Sequence, residues 1–356
     1  MTAEPAQLEL PMPRSLAAWE PSMRRTAPQA VQQVMDRWGA TEIFDLYWHY
    51  AARRQAILIR RLAADPPPWT ADPILLRHRF TNPYRFSDRV SQYLLRHVQY
   101  DQPRPAATIV FRTLLFKAFN RIDTWESLVS EVGEPAPGTF DLHRFDHVLT
   151  RLRVQGRRIY SPAYIVPNPP FGAATKHENH LRMLAAMLEN GTVDRLAATR
   201  TLPELFAVLR SVPSLGPFLA FQYAVDINYS EVTAADEDGF VVAGPGARDG
   251  LRKCFTALPA GQEDEAILWV TQTQQAHFDR LGVRFHFLAG RPLQPIDCQN
   301  LFCETDKYAR VSHPHVTSQT GRTRIKQGFA GVGRDPLPEI FIPPKWRLNP
   351  SSGDRT

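Results

Sequence analysis

The sequence predicts a mainly α-helical protein, and three observations carry that expectation. Apolar residues recur with the helical period in stretch after stretch, glycine and proline sit at the ends of those stretches, and one short run, Phe240-Val241-Val242, is the best strand candidate. The 31 prolines in 356 residues form no triplet repeat and no long Pro/Gly tract. They read as loop and helix-end punctuation, where a missing amide donor does least harm.

Residues 1–28 carry scattered apolar residues, several prolines and no sustained period, and are assigned as a loose, disordered extension. Helix is expected from Ala30 to Leu62, with Val31, Val34, Met35, Trp38, Phe44, Leu46, Tyr47, Ile57 and Ile59 apolar and Gly39 dividing it. The run Asp65-Pro66-Pro67-Pro68 stops it. Ser87–Tyr100 follows, with Val90, Leu94 and Val98 at i, i+4 and i+8, and then Thr108–Arg121. Asp123-Thr124-Trp125-Glu126 has the spacing of a capping box that opens the next helix. The helical period also covers Leu142–Val154, Lys176–Asn190, Val193–Thr199, Pro203–Val212, Phe218–Ile227, Asp264–Leu281 and Ile296–Val311. A helical domain over 29–345 and a tail over 346–356 complete the organisation; the length alone admits one large unit or two packed ones.

Hydrophobic residues at 43% and charged residues at 22% exclude wholesale disorder and a membrane-embedded body. There is no leader-like N-terminus and no run of about 18 apolar residues, so a cytoplasmic location without membrane attachment is expected. Three cysteines, Cys254, Cys298 and Cys303, are too few for a disulfide framework and are read as reduced thiols. The net charge is +6, and the stretch from Lys307 to Arg334 alone contributes six basic residues (Lys307, Arg310, Arg322, Arg324, Lys326, Arg334) and no acidic one. Such a concentration suits a phosphate-contacting surface, and equally a solvated basic loop.

Several constellations bear on chemistry. Leu202–Ile227 reads as a helix, a tight turn Val212-Pro213-Ser214-Leu215-Gly216-Pro217, and a second helix. It resembles a helix-hairpin-helix, whose turn aims backbone amides at a DNA phosphate from a helix N-terminus; Ser214 stands where that motif has its first glycine, and a plain helical corner would look similar. Around Arg248, the glycines of Val242-Ala243-Gly244-Pro245-Gly246-Ala247-Arg248-Asp249-Gly250 read either as an anion-holding loop before a helix or as a connector. On Ile296–Val311, a stripe of Asp297, Asn300, Glu304, Lys307 and Tyr308 offers acid–base and hydrogen-bonding groups, or is solvated or paired internally. Arg79–Arg89 mixes rings with guanidinium groups, as base stacking or as core anchoring. The histidine pairs His143/His147, His177/His180 and His313/His315 come without C-x-x-C or H-E-x-x-H, so no metal is expected. No G-x-x-x-x-G-K-[ST] is present, so unaided ATP-dependent phosphoryl transfer is not expected.

The segments RFTNPYRFSDRVSQYLLRHV, FRTLLFKAFNRIDTW, RIYSPAYIV, VDINYSE, VAGPGARDGLRKCF, PIDCQNLFCETDKYARV and GRTRIKQ, over roughly 41–345, resemble one family. It is the α-glutamyl/putrescinyl thymine pyrophosphorylase group, also described as the helical domain of phage 5-hydroxymethyluracil DNA kinases. The resemblance implies a helix-hairpin-helix DNA-glycosylase-like fold and a role in thymine hypermodification. An amine or amino acid would displace pyrophosphate from a pyrophosphorylated 5-hydroxymethyluracil in DNA. It implies DNA and a small amine as partners, a separate P-loop kinase, and no cofactor. On residue chemistry, Arg248 and Lys253 are then expected to clamp the leaving pyrophosphate and Asp297 or Glu304 to take the amine proton. Asn300 and Asp226 complete the catalytic candidates, and Ser214, Gly216, Arg252, Lys253, Arg322, Arg324 and Lys326 are expected on DNA. Bifunctional glycosylases carry a lysine where this chain has Phe218, so lyase chemistry through that lysine is not expected. Their catalytic aspartate aligns either with Val242-Ala243-Gly244 or, by count, with Asp236. The alternatives to the transferase are a glycosylase-like excision enzyme and a non-catalytic DNA-binding module serving a separate kinase.

Overall fold

A computed structural model describes residues 24–164, 166–317, 320–329 and 337–348. In chain order the helices are α1 (Gln29–Trp38), α2 (Glu42–Leu62), α3 (Pro73–Arg77), α4 (Arg89–Tyr93), α5 (Ala106–Phe119), α6 (Ile122–Val132), α7 (Leu142–Val154), α8 (Lys176–Glu189), α9 (Thr192–Ala198), α10 (Leu202–Arg210), α11 (Pro217–Asn228), α12 (Pro245–Cys254), α13 (Glu263–Leu281) and α14 (Pro295–Ser312). Among the described residues β-structure is limited to two isolated bridges, Ala40 with Phe255 and His78 with Gly328. The mainly α expectation therefore holds. The expected strand at 240–242 does not form, because no described segment pairs with it.

The chain divides into two compact units, one of residues 1–85, 238–340 and 347–356, the other of 86–237 and 341–346. The first is built on α2, α12, α13 and α14. Gly39 takes a left-handed φ of 63° and separates α1 from α2, as its position implies. Thr41 then caps α2, its Oγ1 accepting from Ile43 N and donating to Lys253 O. The buried face of α2 sets Phe44 and Trp48 among Phe255, Trp269 and His277, with Phe44 4.6 Å from Phe255 and Trp48 stacked on His277 at 4.9 Å. Burial, reinforced by Arg280, pushes the His277 pKa down to about 3.

The glycine-rich stretch read as a loop is helix α12 itself, capped by Gly244 with Pro245 at its first position. Its glycines serve close packing: a Cβ on Gly250 would lie 2.1 Å from Phe302 O, and one on Gly246 2.9 Å from Cys303 Sγ. Proximity to α14, rather than approach to a ligand, accounts for both.

The second unit is organised around α5, buried from Ile109 to Phe119 and packed against α8, α9 and α11. Upstream, the even i, i+4, i+8 pattern of Ser87–Tyr100 does not give one α-helix. A short 3₁₀ turn at Arg85–Ser87 and α4 lead into a π-helical segment, Leu94–Gln99. The carbonyls of His97 and Val98 accept from the buried Arg112 guanidinium, which also pairs with Asp101 and Glu134. The expected capping box at Asp123 is also absent: α6 begins at Ile122, after Arg121, with no side-chain cap, so Asp123 and Thr124 lie inside the first turn. Thr124 Oγ1 instead donates to Ile159 O. His180 is fixed as a neutral imidazole, Nδ1 facing Tyr160 Oη at 2.8 Å and Nε2 facing Pro167 O at 3.0 Å, and burial lowers its pKa to about 4. In Arg79–Arg89, Tyr84, Arg85 and Phe86 are buried, so these residues are anchors of their own units.

Candidate functional site

The expected site residues fall in both units, and each group is built separately. In the second unit, α10 and α11 pack together through a surface corner in which Ser211, Pro213 and Pro217 are exposed and Val212 and Leu215 point inward. Ser214 adopts φ 70°. This is the left-handed conformation that a glycine holds without steric cost, and here a serine carries it. Gly216 is the N-cap of α11 and Pro217 brings no amide. The amides of Gly216, Phe218 and Leu219 donate to no acceptor among the described residues, whereas Ala220 N bonds Gly216 O. Arg210, exposed at the end of α10, donates to Leu215 O at 2.7 Å and closes the corner. Unpaired amides, a helix dipole and a nearby guanidinium together favour an anion.

Along α11 lies Asp226, buried, with Oδ2 2.8 Å from the equally buried Lys117 Nζ. Lys117 also donates to Asn120 Oδ1 and lies 4.5 Å from the Tyr164 ring centroid. Tyr164 carries φ 54° and stacks on Phe218, the first non-proline residue of α11, at 6.2 Å; both rings are half-buried. Behind them Tyr223 is buried with its hydroxyl unbonded among the described residues. Burial, then Asp226, drives its pKa up, so it remains a protonated phenol. The aromatic pair thus stands at the corner end of α11, and Lys117 links it to Asp226 near the other end of the helix. Sequence reasoning chose Asp226 and passed over Lys117, Tyr164 and Tyr223. The available signal was Lys117 itself, a lone ammonium in the apolar run LLFKAF.

In the first unit, α14 is buried along most of the stripe that sequence reading left open. Asp297 completes a capping box with Gln294, and its Oδ1 accepts from Arg85 N at 2.7 Å. Glu304 accepts from Thr81 N and from Lys307 Nζ, and Tyr308 donates to Asp72. Residues 81–85 therefore run beside α14, bonded at Glu304 and Asp297. Asn300 lies one turn from each, nine-tenths buried, and its side chain makes no hydrogen bond among the described residues. Lys253, expected to grip phosphate, is instead buried and paired with Asp306 at 3.0 Å, and Asp306 also holds Arg310. Arg248 and Arg252 are exposed on α12, Arg252 lying 3.7 Å from Glu263.

The basic stretch from Gly321 to Phe329 forms no helix and exposes Arg322, Arg324 and Lys326; Arg334 lies outside the described residues. It is held to residues 77–79 by Arg79 N to Gln327 O and Phe329 N to Arg77 O, which adds two exposed cations, Arg77 and Arg79, to the same surface. No helix among the described residues is long and apolar enough to cross a membrane.

The family described as the helical domain of 5-hmdU DNA kinase matches residues 41–318. A 5-hmdU DNA kinase of Bacillus phage SP10 is 24% identical over 314 residues, covering 82% of this chain and 48% of that protein. The chain thus spans about half the length of that relative. No solved structure matches it. A match over most of the chain, including α2 through α14, shows that this protein belongs to the family of the helical domain of 5-hmdU DNA kinases.

Proposed function

We propose that this chain is a DNA-binding enzyme of thymine hypermodification, which replaces the pyrophosphate of a pyrophosphorylated 5-hydroxymethyluracil by an amine or amino acid. One observation carries the reading: in a member of this family, a surface corner with open amides leads directly into a helix bearing a buried ion pair and a partly open aromatic pair. On this reading the corner is a helix-hairpin-helix, and Gly216 and Phe218 present amides to a backbone phosphate. An extruded base stacks against Tyr164 or Phe218. The amine nitrogen forms a bond to the 5-methylene carbon as the carbon–oxygen bond breaks. Pyrophosphate leaves with that electron pair, and the proton on nitrogen passes to a carboxylate.

Asp226, held by Lys117, is the carboxylate best placed for that role in the second unit. Asp297 and Glu304 already cap and tie backbone, which favours a positioning role for them, while Asn300 has hydrogen-bonding capacity to offer. Arg248, Arg252, Arg322, Arg324 and Lys326 supply cations for phosphates, and Lys253 stabilises the packing of α12 on α14. These residues contain no P-loop motif, so on this reading the phosphorylation that precedes the displacement falls to a P-loop kinase activity outside them.

The test uses a duplex carrying pyrophosphorylated 5-hydroxymethyluracil, incubated with the chain and glutamate or putrescine, with pyrophosphate release as the readout. Amine-dependent release that is lost in Asp226→Asn supports the reading. Release of free base instead would assign a glycosylase, and DNA binding with neither product would assign a recruiting module.

A further inference from the structure

One concave feature of the first unit is lined by none of the candidate residues above. A cavity of about 480 Å³ opens between α2, the segment 69–71, residues 281–284 and Arg24. Four arginines line it, Arg24, Arg53, Arg60 and Arg284, together with His49 and Trp69, and no Asp or Glu is among its lining residues. The remaining walls include alanines and a glycine, which leave the guanidinium groups as its dominant chemistry. Like charges gathered around a void repel one another, and a bound anion relieves that repulsion.

The walls are held in place. Arg60 donates to Trp69 O at 2.6 Å, the Trp69 indole N–H donates to Asp65 O at 2.7 Å, and the Arg61 guanidinium stands 5.0 Å from the indole centroid. Arg25 N bonds Asp279 O, which fixes the chain beside Arg24. Asp72 engages Arg53 at 3.3 Å, yet the Arg53 side chain remains half exposed. Burial first, then Arg53, with Asp45 opposing and Arg24 and Arg280 adding, lowers the pKa of His49. Its imidazole is therefore a neutral hydrogen-bonding group at pH 7.

We infer that this cavity is a binding site for a nucleoside polyphosphate, with the phosphate chain among Arg24, Arg53, Arg60 and Arg284 and the base on the Trp69 indole. A free polyphosphate would need only the arginines; the pinned planar ring beside them selects a ligand that also carries a flat group. The volume lies in the range of roughly 300–1,000 Å³ typical of small-molecule sites, and its concavity suits a small ligand better than a duplex. The site requires no DNA, so its test is separate from that of the proposed reaction.

Isothermal titration of the full chain with ATP, inorganic pyrophosphate and AMP decides it. ATP is expected to bind at least about tenfold more tightly than either of the others. Arg24→Gln and Arg53→Gln, both at exposed side chains that leave the core intact, are each expected to weaken ATP about tenfold. Trp69→Phe should retain ATP binding and Trp69→Ala should lose the margin over pyrophosphate, with circular dichroism confirming that each variant is folded. The inference is overturned if ATP does not bind, if binding survives both arginine changes, if pyrophosphate binds as well as ATP, or if unmodified duplex displaces ATP at equal phosphate concentration.

Discussion

Replacing Gly250 by alanine sets two physical effects against each other, and the structure decides between them. Gly250 lies within α12 without the positive φ that would strain an L-residue, so helix propensity alone predicts a gain of about 0.8–1 kcal/mol for alanine. The new Cβ, however, would sit 2.1 Å from Phe302 O and 2.7 Å from Phe302 C, where ordinary contact begins at 3.4 Å. The obstacle is backbone, so no side-chain rotation relieves it, and α14 is pinned at Asp297 by its capping box and at Asp306 by Lys253. Overpacking of a tight core costs about 1–3 kcal/mol or more, which outweighs the propensity term. We expect Gly250→Ala to be destabilised by up to about 2 kcal/mol, the overpacking cost less the helix gain. Gly246→Ala meets the Cys303 thiol at 2.9 Å and should cost less, since a small side chain yields more easily than a carbonyl. Urea unfolding of the three proteins, compared by midpoint at constant m-value, measures both. A midpoint for Gly250→Ala at or above that of the parent would refute the argument that the glycine exists for helix proximity.

Other expectations follow from the buried charges and the basic surface. His180 is held neutral with its pKa at about 4 against 6.5 when unfolded; its contribution is complete above pH 6.5, shrinks as pH falls towards 4, and amounts to on the order of 3 kcal/mol. Stability measured from pH 7 to 4 should therefore drop more steeply in the parent than in His180→Gln; parallel curves would remove His180 from the account. Lys117→Met leaves Asp226 buried without its cation and should cost about 3–5 kcal/mol, much of it recovered in Lys117→Met/Asp226→Leu; a double variant no more stable than the single one would contradict this. Changing Arg322, Arg324 and Lys326 together to glutamine should lower the salt dependence of DNA affinity by about 2–3 in the log–log slope, and an unchanged slope would place the DNA elsewhere.

Helix existence was legible because period and punctuation are local properties. Leu142–Val154 and the ends set by Gly39 and Gly191 follow from apolar spacing and left-handed caps, which neighbours did not override. Errors arose where tertiary contact gives a residue its meaning. Gly246 and Gly250 look like loop glycines in one dimension and become helix–helix contacts in three. The π-helical segment follows from where Arg112, some fifteen residues away, finds carbonyls. Lys253 looks like any surface lysine until Asp306 is brought beside it. At the candidate site, the Ser214–Gly216 corner was legible as a local turn between two helices, and it lies at the surface. The Lys117–Asp226 pair joins residues more than a hundred positions apart, so only the fold reveals it.

The most direct test of the central claim is mass spectrometry of the nucleosides released after a duplex bearing pyrophosphorylated 5-hydroxymethyluracil has been incubated with this chain and an amine. The account predicts a new thymidine derivative in which that amine is joined to the 5-methylene carbon, formed with pyrophosphate and diminished by Asp226→Asn. Recovery of the starting nucleoside alone, across amines and amino acids and with DNA binding verified, would contradict it.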